Sequence, residues 1–228
     1  MPAGLELRVE DLELRAAGGR RLLHVPRLDA APGRSIAVCG PSGAGKSSLL
    51  HALAGLVRPH AGRIAWGEQD IAGLPEEARA RFRRERLGLV FQDFLLFEEL
   101  GALDNAALAA AFSPRGERSG LRDDARRWLD RLGLSGMEAR RIDGFSGGER
   151  QRVAVARALA RDAPVILADE PTASLDRANA DGLIEDLAAL ARAPGRTLVV
   201  VTHDPALVRR MDRVLTLEDG RIVGDTDG

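Results

Sequence analysis

The chain has 228 residues, 45% of them apolar and 29% charged, which fits one compact domain with a sizeable core and excludes a disordered chain. Its 33 basic and 34 acidic side chains nearly cancel, for a net charge of -1, so nothing argues for a nucleic-acid partner and none is expected. The lone Cys39 excludes a disulfide scaffold and reads as a buried, reduced thiol of a cytoplasmic protein.

The start of the sequence lacks the basic-then-apolar pattern of a secretory leader. No apolar run nears the roughly 18 residues that a bilayer span requires, so any membrane role is expected to come through a partner. Residues 5–9 and 12–14 alternate apolar and charged side chains, as half-buried strands do, and Gly18-Gly19 is a turn. Residues 35–39 form the next strand, whose apolar run predicts burial on both faces. A glycine-rich loop leads to a helix over 47–56 that stops near Pro59; residues 62–66 are a short strand, with a loop through Gly73. Pro75 suits a first helical position and opens a charged helix to about Arg84. The arginine run 79–86 reads as a solvated helix face, with a local basic patch as the alternative. Residues 87–91 are another buried strand.

From 98 to 139 the strand-like runs vanish. Ala125, Trp128, Leu129 and Leu132 recur at helical spacing, and 113–120 breaks the region into at least two helices. The segment of about 93–145 is expected to be a small helical subdomain inserted into an α/β core of 1–92 and 146–228, all within a single domain. A helix over 149–160, a buried strand over 165–168 and a helix over 179–191 follow. A β-branched strand over 197–201, a helical turn or two over 205–210, and strands over 213–217 and 221–223 about Gly220 complete the chain. Strands alternating with helices predict a mostly parallel sheet.

Gly40, Pro41, Ser42, Gly43, Ala44, Gly45, Lys46 and Ser47 match the pattern G-x-x-x-x-G-K-[ST] between a strand and a helix. The glycines let the backbone fold tightly, so that successive N–H groups face the β- and γ-phosphates of a nucleotide. The helix that starts near Lys46 adds its positive end to the same anion. Lys46 is expected to bridge the phosphate oxygens, the Ser47 hydroxyl to ligate Mg²⁺, and the binding set to run on through Ser48. A glycine-rich turn before a helix would account for the residues alone, but not for both flanks.

Residues 165–168 drive a strand into the sheet and release Asp169 and Glu170 at its C-terminal end, where doubly wound sheets bind ligands. Asp169 is expected to reach Mg²⁺ from outside its directly bound ligands or through water, and Glu170 to act as general base on the attacking water. Two acids after a strand would otherwise be a polar turn; the phosphate loop upstream gives them a partner.

With these come Phe145, Ser146, Gly147, Gly148, Glu149, Arg150 and Gln151, and the helix that follows them. Over nearly all its length the chain resembles the ATP-binding subunits of ABC transporters, and this run resembles their signature motif. Glycines at a helix start expose N–H groups to a phosphate, and Ser146 adds a hydroxyl. The resemblance implies a P-loop NTPase of ABC ATPase type, with an N-terminal antiparallel β portion and an inserted helical subdomain. It implies that ATP and Mg²⁺ are used, and that Ser146, Gly147, Gly148 and Glu149 serve the ATP held by a second copy of the chain in an ATP-sandwich dimer. It assigns Gln92 to Mg²⁺, the water and the link to the helical subdomain, Ser174-Leu175-Asp176 to the loop that crosses to the partner, and His203 to the γ-phosphate and the general base. It also implies integral membrane permease subunits as partners, on the cytoplasmic face of the inner membrane.

Three places depart from the family pattern. Ala16-Ala17-Gly18 stands where a ring usually stacks on adenine, a loss of ~1 kcal/mol by analogy with aromatic pairs. Phe145 replaces the usual Leu, and residues 140–144 (Arg-Arg-Ile-Asp-Gly) differ from the common polar segment. The pattern over 85–97 is similar to the branch of lipoprotein-releasing, macrolide-export and cell-division-associated ATPases, and 94–100 is apolar enough to dock a partner or to join the helical subdomain's core. Two other functions remain open on the sequence: a regulatory ABC ATPase of a cell-envelope complex, and a soluble DNA-repair or translation ABC ATPase. The last usually carries zinc-binding Cys pairs, coiled-coil insertions or two ATPase domains, which are not visible here.

Overall fold

The computed structural model describes residues 4–192 and 195–227. β1 (Leu7–Arg15) turns into β2 (Arg21–Ala30) through a tight loop, in which Gly19 N–H donates to Ala16 O at 2.8 Å. β1 is one strand where the sequence suggested two. Asp11, at φ 47°, shifts the register against its neighbour without ending the strand. β2 has no counterpart in the sequence reading, because Pro26 interrupts its pattern. As an edge strand it tolerates the missing N–H.

β3 (Ser35–Cys39) feeds the glycine loop and α1 (Lys46–Leu53). β4 (Ala61–Trp66) and the two-residue β5 (Gln69–Asp70) complete an antiparallel sheet in the order β2-β1-β4-β5. Pro75 is the N-cap of α2 (Glu76–Arg86), in an extended conformation, rather than its first helical residue. Arg81, Arg84 and Arg86 of α2 are exposed, as a solvated face requires. The Arg79 and Arg83 side chains, by contrast, are only 11% and 17% exposed, pair with Glu76 at 2.6 and 2.7 Å, and pack toward the body, Arg83 donating to Gly55 O at 2.7 Å.

β6 (Leu87–Val90) precedes three short-to-medium helices, α3 (Ala102–Ala106), α4 (Leu108–Ala111) and α5 (Arg118–Arg131). The chain then returns through α6 (Gly147–Leu159), β7 (Val165–Asp169), α7 (Arg177–Arg192), β8 (Thr197–Val201), α8 (Pro205–Val208), β9 (Arg213–Glu218) and β10 (Arg221–Asp227). The second sheet has the order β10-β9-β3-β8-β7-β6 and is parallel except for β10.

The central strands are buried on both faces, and period two divides their side chains between two cores. Ile36, Val38, Val165, Leu167, Val199 and Val201 face the antiparallel sheet and α1. Ala37, Ile166, Ala168, Leu198 and Val200 face the helical side, where Ala102, Ala106, Ala125 and Leu129 pack with Val153 and Ala156 of α6. The helical segment thus shares a core with one face of the parallel sheet. No helix among the described residues is long and apolar enough to cross a membrane.

The connection from β6 to α3 is irregular, with Phe94 and Leu95 at φ 58° and 49°, yet it is tied down. Asn105, fully buried, accepts from Phe97 N–H at 2.8 Å and donates to Phe97 O at 2.9 Å and Gly101 O at 3.1 Å. From the other side Arg157 donates to Phe94 O (2.7 Å) and Leu95 O (2.5 Å), and burial pulls its guanidinium pKa down to about 10.

Candidate active site

The phosphate-loop residues follow from the end of a buried strand. Gly40, at φ 142°, lies so close to β9 that a Cβ there would sit 2.0 Å from Leu217 O, so only glycine fits. Ala44 O accepts from Gly220 N–H at 3.0 Å, which anchors the far side of the loop, and Gly45, at φ 99°, caps α1. Lys46 Nζ donates to Gly40 O at 2.8 Å and Pro41 O at 2.9 Å, which folds the ammonium across the loop mouth.

A cleft of about 640 Å³ opens over this loop. It is lined by Gly40, Ser42, Gly43, Gly45, Lys46, Ser47 and Ser48, and by Gln92, Asp169, Glu170 and His203. Pro41 and Ala44 shape the loop without lining the cleft. Gln92, just past β6, reaches it from the side of the helical segment. Cys39 is half-buried rather than fully buried, and desolvation, then the nearby Glu170, push its thiol pKa up.

Parallel pairing of β7 with β8 places Asp169 opposite Val201 and brings the two strand ends together. Asp169 is 3% exposed, and its Oδ1 has no hydrogen-bond partner. Burial pushes its carboxyl pKa up, opposed by a hydrogen bond from the Ser47 hydroxyl. An orphaned carboxylate oxygen beside a serine hydroxyl fits a hard divalent cation, which oxygen donors and substrate phosphates hold without a dedicated protein cage.

Glu170 adopts a left-handed backbone, φ 47°, rare for a residue with a side chain. Its N–H donates to Val201 O at 2.9 Å. The turn directs its carboxylate to His203, where Oε2 lies 2.9 Å from Nδ1 and 3.4 Å from the His203 N–H. The Glu170 side chain is 14% exposed and His203 77%, so the imidazole holds the carboxylate while facing the open cleft.

Ser146, Gly147, Gly148 and Glu149 do not line this cleft; they form the start of α6 elsewhere on the surface. Ser146 and Glu149 make a capping box, with Ser146 N–H to Glu149 Oε2 at 2.7 Å and Glu149 N–H to Ser146 Oγ at 3.3 Å. The Ser146 N–H holds the Glu149 carboxyl pKa below its usual range. The N–H groups of Gly147 and Gly148, in the first turn, have no intrahelical acceptor. Phe145 is buried beneath the Arg140 guanidinium, 4.9 Å from its ring centroid, and Ile142 is buried. Within the departing segment 140–144 only Ile142 is buried, and Arg140, Arg141, Asp143 and Gly144 are exposed.

Two residues that sequence reasoning did not single out hold the site together. Asn105 fixes the stretch beyond Gln92; a lone amide among alanines and leucines was the only signal. Gln151, 2% exposed, links α6 to Glu170 and to the following loop. It lies within the signature-like run, but period and spacing do not reveal a buried amide's partners.

The family model for ABC transporters matches residues 23–173. The chain belongs to the ABC transporter family. It is 38% identical over 208 residues to the lipoprotein-releasing system ATP-binding protein LolD of Hyphomonas neptunium, covering 91% of each chain. It is 44% identical over 197 residues to the macrolide export ATP-binding/permease protein MacB of Sodalis glossinidius, covering 86% of this chain and 30% of MacB, so it spans about a third of that longer relative. A dimeric ATP-binding cassette, MJ0796, in a post-hydrolysis state bound to ADP and Pi superposes with a TM-score of 0.89. That structure is 31% identical and covers 97% of this chain and 98% of its own. The fold is that of an ABC ATPase.

Proposed function

We propose that this chain binds and hydrolyses ATP, dimerises around it, and drives a separate membrane permease of the export or force-transmitting kind. The observation that carries the catalytic reading is the Glu170–His203 pair, 2.9 Å apart, facing the phosphate loop across one cleft. Gly40 to Ser48 cradle the triphosphate through backbone N–H groups and the start of α1, and Lys46 exchanges its two carbonyl partners for phosphate oxygens. Ser47, Asp169 and Gln92, which line the same cleft, are the residues that would hold Mg²⁺, and when bound the ion would neutralise charge on the transferred phosphoryl group. Glu170 accepts a proton from the attacking water while His203 fixes its carboxylate and faces the γ-phosphate.

Ser146, Gly147, Gly148 and Glu149 of the same chain do not line this cleft. Gly147 and Gly148 of a second copy would supply N–H donors there, with Ser146 and Glu149 shaping that helix start, which is why we assign the site to two subunits. The dimeric state and bound products named for the MJ0796 structure support this reading.

A permease partner is supported by an apolar groove of about 490 Å³ between β6 and the α4–α6 side. Leu95 and Phe112, 57% and 68% exposed, line it together with Arg83, Arg84, Arg157 and Arg161. The names of the LolD and MacB relatives place them in lipoprotein release and macrolide export. We read residues 93–145 as a helical subdomain that supplies one wall of this groove through Leu95, Leu108, Ala109 and Phe112, and the chain as peripheral on the cytoplasmic face of the inner membrane. The test is capture from detergent-solubilised membranes with Glu170→Gln and Mg-ATP: a four-helix membrane protein with a large external domain is expected, and recovery of the chain alone, as a monomer, contradicts the proposal.

A further inference from the structure

We infer that Gln151 is a positioning residue that fixes the Glu170 base and ties its position to the helix start that reads the partner's nucleotide. The inference rests on the assignment of Glu170 as base. Gln151 projects from the second turn of α6, four residues beyond Gly147, and is buried. Its Nε2 donates to Glu170 O at 2.8 Å and its Oε1 accepts from Ser174 N–H at 2.9 Å. A primary amide supplies a donor and an acceptor on one planar group, so a single side chain spans the whole turn from Glu170 to Ser174.

The turn needs such a clamp. Glu170 sits at φ 47°, a conformation that surrounding contacts must hold for a residue with a Cβ. Its carbonyl also accepts from Ala173 N–H at 3.2 Å. Rotating that peptide would swing the carboxylate off His203. On the other side of the clamp, a Cβ at Gly148 would lie 2.9 Å from Ser174 O, so the first turn of α6 rests directly on the same turn. A shift of that helix start, on meeting a phosphate, is transmitted through Ser174 and Gln151 to the base of the opposite active site. A buried, doubly bonded amide does not slide independently of its partners, because breaking either bond orphans a buried polar atom.

The experiment compares wild type, Gln151→Met and Gln151→Glu in steady-state ATPase assays of the full chain. It adds ATP-driven dimerisation by size exclusion, with each substitution combined with Glu170→Gln. Met keeps the volume and removes both bonds; Glu keeps the acceptor for Ser174 N–H and removes the donor to Glu170 O. A displaced base lowers the rate by roughly tenfold to a hundredfold. Both variants should show that loss in kcat with KM for ATP changed less than about twofold, and dimerisation should persist. A full wild-type rate in Gln151→Glu overturns the inference, since the bond to Glu170 would then be idle. Equal losses in KM, dimerisation and thermal stability also overturn it, as a purely structural role. A wild type with no ATPase activity defeats the reading of the site itself and takes this inference with it.

Discussion

Asp169→Asn is expected to stabilise the protein in the absence of nucleotide and to weaken its stabilisation by Mg-ATP. The carboxylate is buried, and Oδ1 lacks a partner. An unpaired buried polar atom costs about 1–3 kcal/mol, and a charged one more. Asparagine keeps an oxygen to accept from the Ser47 hydroxyl and removes the charge, leaving a net gain of about 1 kcal/mol. For a chain of this size that is about 2–4 °C in Tm.

The pH dependence has a definite sign. Burial raises the folded-state pKa of Asp169 above its ordinary value of 3.8. This group's contribution to stability is therefore fully present below that value and is lost as pH rises through the folded-state pKa. The advantage of Asp169→Asn should thus be small near pH 4 and grow toward neutrality. With Mg-ATP the order reverses. A ligand at a hundredfold its Kd stabilises by about 2.7 kcal/mol, and one bound tenfold more weakly by about 1.4. Thermal unfolding of both proteins at pH 4.5 and 7.5, with and without Mg-ATP, reads all of this. A nucleotide-free variant less stable than wild type at pH 7.5, or an undiminished Mg-ATP shift, would refute the reasoning.

Gly40→Ala should fail to give soluble, folded protein, because the new Cβ meets the Leu217 carbonyl at 2.0 Å, a fixed backbone atom; soluble yield beside Gly43→Ala, where nothing lies within 4 Å, is the measure. Asn105→Ala removes three good hydrogen bonds and should cost about 2–4 kcal/mol, read as a lowered urea midpoint with an unchanged m-value. Ala17→Tyr, at the exposed tip of the β1–β2 turn, should lower KM for ATP about fivefold, the equivalent of ~1 kcal/mol of stacking, with kcat little altered in the same assay.

Much of this architecture could be read before folding. The phosphate loop and the strand-end acids stand out because each requires special residues at the end of a buried apolar run, and such runs announce themselves, whereas His203 is assigned by the resemblance alone. β2 did not, since Pro26 breaks its alternation and only the edge position makes the break harmless. The separation of Ser146–Glu149 from the cleft was expected from resemblance alone; no periodicity says which helix start faces which cleft. Gln151 and Asn105 were illegible for a deeper reason. A buried amide is recognised by what it bonds, and its partners at Glu170, Ser174 and Phe97 are set by tertiary geometry.

The central claim is that each active site is completed by a second chain, and mixing two inactive variants tests it most directly. Lys46→Ala disables the phosphate loop and leaves the α6 helix start intact; Ser146→Arg blocks the helix start and leaves the loop intact. Each alone should be nearly inactive. In a mixed dimer the loop of the Ser146→Arg chain meets the helix start of the Lys46→Ala chain, so one whole site forms and ATPase activity returns to a sizeable fraction of wild type. Activity that stays at the sum of the two separate variants, at concentrations where mixed dimers are shown to form, would contradict the account.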